Sequence, residues 1–301
     1  QGNGVIAIKD VRDAILWSWH VWVTDEDINN VIEITNHQNV KYNFMPDNLG
    51  QCDGNTITYE ERSCKVKFIA GDQSKEITIK QLANVIATGS NAPFYQWGRK
   101  DPLYPSNGMG NTTKIWYDKE GIPSTANPMK GTFSAGNDCI KNCILNPNLM
   151  HNRYNGDYTY YNLWSADNKT TSANDNPVNK TIYDPCPVGF KLPASNAFTG
   201  FTTTGESVSS STQVNGTWSS SEKGWYFYTN SEKTQSIFFP ALGYRSYSTM
   251  RPGSIGTQGC FWSAHPVAKG NNYYLRTSSV DVQPTYMVDR GFGYALRPCQ
   301  D

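Results

Sequence analysis

The sequence predicts an α+β protein dominated by antiparallel strands, with long loops and a few short helices. Three observations carry this. From residue 201 onward, short apolar or aromatic runs (WYFY, SIFFPALGY, CFWSA, NNYYLRTSSVDV, FGYALRP) alternate with Gly, Ser and Asn turns, the spacing of a sheet built from hairpins. Polarity comes from Asn, Ser, Thr and Tyr rather than charge: charged residues are 17%, against 18 Tyr, 9 Trp and 25 Gly, where roughly 25% charge is usual. No apolar run approaches the roughly 18 residues of a membrane helix.

Taken in order, GVIAIK (residues 4–9) and AILWSWHVWV (14–23) read as buried strands, because both are rich in β-branched and aromatic residues. Three Trp within six residues mark the second as a core strand. Asp53-Gly54-Asn55 is a turn signal, and the KVKFIA that follows alternates like a strand. A hairpin closed by a Cys52–Cys64 bridge is sterically reasonable and would gain roughly 3 kcal/mol from loop closure. Residues 76–88 read as a strand or as a strand followed by a short helix. Residues 91–130 hold Pro93, Pro102, Pro105, Gly108, Gly110, Gly121, Pro123 and Pro128, the composition of functional loops. Cys139 and Cys143 have an i,i+4 helical spacing that is long for an unstrained bridge. Residues 165–180 read as a polar surface insertion, and Asn111, Asn168, Asn179 and Asn215 each open an Asn-X-Ser/Thr triplet.

The chain has 301 residues with Lys plus Arg equal to Asp plus Glu at 26 each, so a nucleic-acid partner, which wants a basic surplus, is set aside. Seven cysteines without a CxxC or the clustered Cys/His ligands of a zinc site argue for disulfides over zinc, and hence for an oxidising compartment. QGNGVIAIKD lacks the basic and apolar regions of a signal peptide. Export is therefore inferred from the cysteines, and residues 1–12 read either as the first strand of a single domain spanning 1–301 or as a strand continuing from a preceding module.

Six segments together carry a family resemblance: NLG (Asn48–Gly50), YQWGRKDPL (Tyr95–Leu103), YDPCPVGFKLP (Tyr183–Pro193), FFPALGYR (Phe238–Arg245), FWSA (Phe261–Ala264) and YALRPCQD (Tyr294–Asp301). In order and spacing, over roughly residues 5–301, the chain resembles the FISUMP-type major paralogous domain of surface and fimbria-associated tip proteins of gut anaerobes. The resemblance implies a C-type-lectin-like fold, an extracellular, surface-displayed location (outer-membrane-anchored or fimbrial) and a Cys186–Cys299 bridge. Pro185, Pro187 and Gly189 suit a tight turn around Cys186. Cys260, before FWSA, departs from the family pattern.

No cofactor or metal is expected. Sugar-binding calcium sites of C-type lectins use a Pro-containing triplet followed by Trp-Asn-Asp. The three triplets here, Met45-Pro46-Asp47, Asn146-Pro147-Asn148 and Gln283-Pro284-Thr285, lack the partner motif and offer few of the carboxylates calcium prefers. No GxSxG or other nucleophile motif points to catalysis. The expectation is a binding or adhesion module, not an enzyme, that recognises a glycan or a cell-surface protein. Its candidate ligand-binding residues are Trp225, Tyr226, Tyr228, Asn271, Asn272, Tyr273, Tyr274 and Arg245, because Tyr and Trp offer large contact area and Asn adapts its hydrogen bonds. The rival classes are a pilus assembly subunit acting by strand addition on other subunits and a formylglycine-generating-type enzyme, which a close pair of reduced cysteines in a cleft would favour.

Overall fold

Alternating side chains zip Gly2–Lys9 (β1) and Ile15–Val23 (β2) into an antiparallel hairpin, from Gly2 opposite Val23 to Ile8 opposite Trp17. Its turn closes because the Asp10 carboxylate accepts from the backbone N–H of Arg12 and Ala14, an Asx-type turn. The structure is a computed structural model that describes residues 1–52, 57–86, 92–103, 116–117, 122–124, 132–133, 138–151, 160–167 and 169–301. The Asp53-Gly54-Asn55 turn, the Asn111 and Asn168 triplets and most of the 91–130 loop lie outside the described residues.

The expectation of buried core strands at 4–9 and 14–23 is corrected. The hairpin is a two-stranded sheet, which can bury only one face. Trp19 stays 41% exposed and Val5 44%. Ser18, His20 and Trp22 fasten the hairpin to the body: Ser18 to Asp101, His20 to Tyr95, and the Trp22 indole to Gln51 O. Residues 2–9 thus find their strand partner within this chain.

Ile32–Thr35 (β3) and Lys41–Phe44 (β4) form the next hairpin. Asn36 Oδ1 accepts from the N–H of Gln38 and Val40, and Asn39 takes the left-handed conformation at φ 62°, which Asn tolerates. Arg62–Ala70 (β5) and Gln73–Gln81 (β6) make a long third hairpin, with Ile57–Tyr59 pairing with Asn84–Ile86 at its base. Cys64 therefore lies opposite Ile79, exposed, while Cys52 is buried beneath Asn3. Described residues 76–86 carry strand and no helix.

The one α-helix among the described residues, Cys139–Leu145 (α1), packs against β2. The C-terminal half builds two antiparallel meanders. Gly216–Ser219 (β7), Gly224–Tyr228 (β8) and Ser236–Pro240 (β9) form the first; Gln258–Pro266 (β10), Asn271–Ser278 (β11) and Val282–Asp289 (β12) form the second. Among the described residues two pairings are parallel, 132–133 with 150–151 and Phe261 with Ala295, and these residues form mostly antiparallel β-structure with one short helix.

The core is aromatic. Phe201 stacks on Phe227 at 3.9 Å, and Phe239 meets Phe261 edge-on at 5.0 Å. Such burial stabilises by about 1.5–3 kcal/mol per ring, with about 0.5–1.5 more for each well-placed pair. A second cluster gathers Trp97, Trp164, Trp262 and Tyr294. The segments singled out in the sequence meet here. Trp262 Nε1 donates to Tyr95 O, Ala264 N to Pro193 O, and Leu49 N to Leu296 O. Gly243, in FFPALGYR, has φ +75°, and a Cβ there would fall 2.2 Å from Gly253 O, so no larger residue fits this turn.

Candidate functional site

The aromatic strands named as ligand-binding are mainly core. In GWYFY the period-2 alternation of a strand turns Trp225 and Phe227 inward, at 1% and 0% exposure. Tyr226 and Tyr228 face outward: Tyr226 lies on Phe238 and donates to Glu222, and the Tyr228 hydroxyl meets Thr217. Trp225 donates its indole N–H to Ser278 O at 2.7 Å. In β11 both faces are covered. Asn272 is fully buried and donates to Ser263 O, Tyr274 packs on Trp262, and Tyr273, also buried, donates to Thr171 O. Asn271 is half-buried and accepts from Arg290, and Arg245 is wholly buried. Trp225, Asn272 and Arg245 are at most 1% exposed, and Tyr273 and Tyr274 keep only 8% and 4%. Tyr226, Tyr228 and Asn271 keep more surface, but they do not form one site with the rest.

The carbonyls of the Pro-containing triplets also have an assigned task. Met45 O and Pro46 O accept from Arg297, together with Asn48 Oδ1. Asn146 O and Pro147 O accept from Arg99, as does Leu149 O. A buried guanidinium thus occupies the acceptors at two of the three triplets. Burial, opposed by the nearby Asp47 carboxylate, lowers Arg297 to about 10. Ser195 Oγ lies 3.2 Å from His265 Nδ1, a spacing a hydrolase would use, yet Ser195 is fully buried and its hydroxyl donates to Asn174 O. A nucleophile must reach substrate, so this pair is structural.

The structure contains no disulfide; Cys52 is buried, and Cys64 lies exposed on β5 opposite Ile79. Cys186 and Cys299 are both buried thiols. Burial and Asp184 hold Cys186 well above the ordinary thiol range, and Cys299 adds to this.

The open polar surface lies elsewhere. Phe190–Lys191, Cys299–Gln300, β4 and β3 form a four-stranded sheet, and the loop 175–178 rises beside it. Between them runs a groove of about 270 Å³ bordered by Lys41, Tyr42, Asn43, Asp175, Lys191 and Gln300. Asp175 organises one wall: Oδ1 accepts from Asn36 (2.6 Å) and the Tyr42 hydroxyl (2.7 Å), and Oδ2 from Asn196 (2.9 Å). Burial, then the bond to Asp175, raises the Tyr42 pKa, so the phenol stays protonated and donating. Asn43 donates to Gln300 Oε1 at 3.3 Å, and Lys41 pairs with Glu33 at 2.9 Å. The groove therefore offers ammonium groups, amides and a phenol edge on a rigid floor. None of its residues was named from sequence as ligand-binding, although Lys191, Cys299 and Gln300 lie in motif segments quoted there. The available signal was the Asn-rich turn TNHQN, which aims β4, and the stretch SANDNP inside the presumed surface insertion. Comparison with protein-family models, with curated proteins and with solved structures returns no match for this chain.

Proposed function

We propose that this chain is a surface-displayed binding or adhesion module of C-type-lectin-like type that takes a polar ligand, a glycan, in the groove between β4 and the loop 175–178. The single observation that carries this is the groove itself: an open concavity whose amides, ammonium groups and phenol are held by a sheet and by the Asp175 network. Pre-ordered hydrogen-bonding groups lower the entropic cost of binding a hydroxyl-rich ligand. The six motif segments and their resemblance to FISUMP-type surface and fimbria-associated proteins supply the extracellular setting and the expected Cys186–Cys299 bridge. The test is a glycan array probed with wild type, Asn43→Ala and Lys191→Ala, each with and without a calcium chelator. Selective binding that survives chelation and falls at least tenfold in both variants, with Tyr226→Ala unchanged, supports the reading. Binding that ignores the groove variants overturns it.

One observation favours a second reading, an assembly subunit. The β1–β2 and β5–β6 hairpins are two-stranded sheets that leave Leu16, Trp19 and Ile69 exposed, and such strand edges invite strand addition. An array with no binding, and a pull-down that recovers a second copy or a neighbouring subunit through these edges, would move weight here. The enzyme reading draws on Cys139 and Cys143, two thiols at one cleft. The hydrogen bond to Cys139 and burial, however, raise the Cys143 pKa, so its thiolate is scarce at neutral pH, whereas an enzyme's nucleophilic thiol is activated by a lowered pKa.

A further inference from the structure

Cys139 and Cys143 lie one helical turn apart on α1, and the Cys143 thiol is hydrogen-bonded to Cys139. Both line a cleft whose opposite wall is Trp97, Arg99, Lys100 and Tyr183. Ile140 and Ile144 line this cleft and also an open apolar depression with Ile15 and Leu16. Cys143 is half-buried and Cys139 is buried. Neither the binding groove nor the aromatic core uses them.

We infer that Cys139 and Cys143 form a reversible dithiol–disulfide site, oxidised by a low-molecular-weight disulfide. In the first step the Cys143 thiolate attacks one sulfur of the small disulfide, forming a mixed disulfide and releasing one small thiol. In the second, Cys139 displaces the second small thiol and closes the Cys139–Cys143 bond. Two S–H bonds are lost, one S–S bond is made, and the two electrons and two protons leave on the small thiols.

The local geometry makes this couple labile rather than structural. Side chains at i,i+4 have Cβ atoms about 5–6 Å apart, whereas a disulfide needs roughly 3.5–4.5 Å. α1 must therefore tighten by about 1–2 Å on oxidation. It can do so because it has only seven residues and no side-chain N-cap bond. Its C-terminal side is fixed where Asn146 O and Pro147 O hold Arg99, so the movement falls on the Cys139 end. Strained disulfides are the readily reduced ones. Oxidation would thus shift Ile140, which borders both the cleft and the surface depression.

The experiment uses the whole chain, reduced, exchanged into glutathione buffers of increasing oxidised fraction, then quenched by alkylation and mapped by peptide mass spectrometry without reduction. The expected result is a Cys139–Cys143 disulfide that forms and is reversed by excess reduced glutathione. Because Cys143 is held above its ordinary pKa by its bond to Cys139 and by burial, against the pull of Arg99, the oxidation rate should rise about tenfold per pH unit across the neutral range. In Cys143→Ser, Cys139 should remain alkylatable. Both cysteines still alkylatable at saturating oxidised glutathione and alkaline pH would overturn the inference. So would a stable mixed disulfide, or either cysteine bonded to a third. The wild-type titration decides the question even if the variant fails to fold.

Discussion

Replacing Asp101 with alanine removes the carboxylate that holds the first hairpin to the body. Asp101 is 2% exposed and accepts from the Ser18 hydroxyl and the Lys100 ammonium, each at 2.7 Å. Lys100 is itself buried, donates to Ser18 O at 2.8 Å, and sits 4.5 Å over the Trp17 ring. Two donors of one network therefore depend on this carboxylate. Breaking a buried ion pair by removing one partner costs about 3–5 kcal/mol, because the remaining charge has lost its compensation. Replacing both partners by apolar residues of similar volume, Lys100→Met with Asp101→Leu, should recover most of that loss. Burial already lowers the Lys100 pKa, and Asp101 opposes this. In Asp101→Ala the folded-state pKa falls further below the unfolded value, so the unfolded state binds more protons between the two. Stability then rises as pH climbs through that window, and the deficit shrinks in alkali. The assay is urea unfolding of wild type, single and double variants, with hydrogen exchange of the β2 amides to locate the loss. A single variant costing less than about 1 kcal/mol, or a double variant as damaged as the single, would refute the reasoning.

The same hairpin should be acid-sensitive. Burial lowers His20 from 6.5 to about 4, with Asp101 opposing, and the ring lies 2.7 Å from the Tyr95 hydroxyl and 2.8 Å from Asn3 Oδ1. The unfolded state binds the extra proton between these values, so about 3 kcal/mol of stability should be lost as pH falls from 6.5 to 4. Urea midpoints against pH for wild type and His20→Gln check this, and identical pH profiles would count against it. Under oxidising conditions Cys186 and Cys299 are expected to be bonded to each other. Non-reducing peptide mapping tests this, either cysteine found alkylated would sink it, and loss of the bridge should cost roughly 4–5 kcal/mol through loop-closure entropy.

Local pattern alone placed most of the sheet. The aromatic and β-branched runs at 4–9, 15–23 and 65–70 and most of those from 224 onward lie in strands, because period-2 alternation and Gly/Asn turns are local properties of the chain. α1 was legible only as a spacing of two cysteines. What sequence could not decide was which side of each strand meets water. Trp225 and Tyr226 are adjacent and chemically alike, yet one is sealed beneath Ser278 and the other looks outward, because burial depends on what β11 and β7 place over them. Trp19, the kind of residue that belongs in a core, stays exposed because its hairpin has no third strand. The groove was equally illegible: Lys41, Asp175, Lys191 and Gln300 come from four distant segments, and only the pairing of Cys299 with Phe44 and Lys191 brings them to one face. Alternation and turn chemistry act within a few residues and determined the strands; the exposure of a ring and the convergence of a site are long-range packing outcomes, which only the tertiary structure decides.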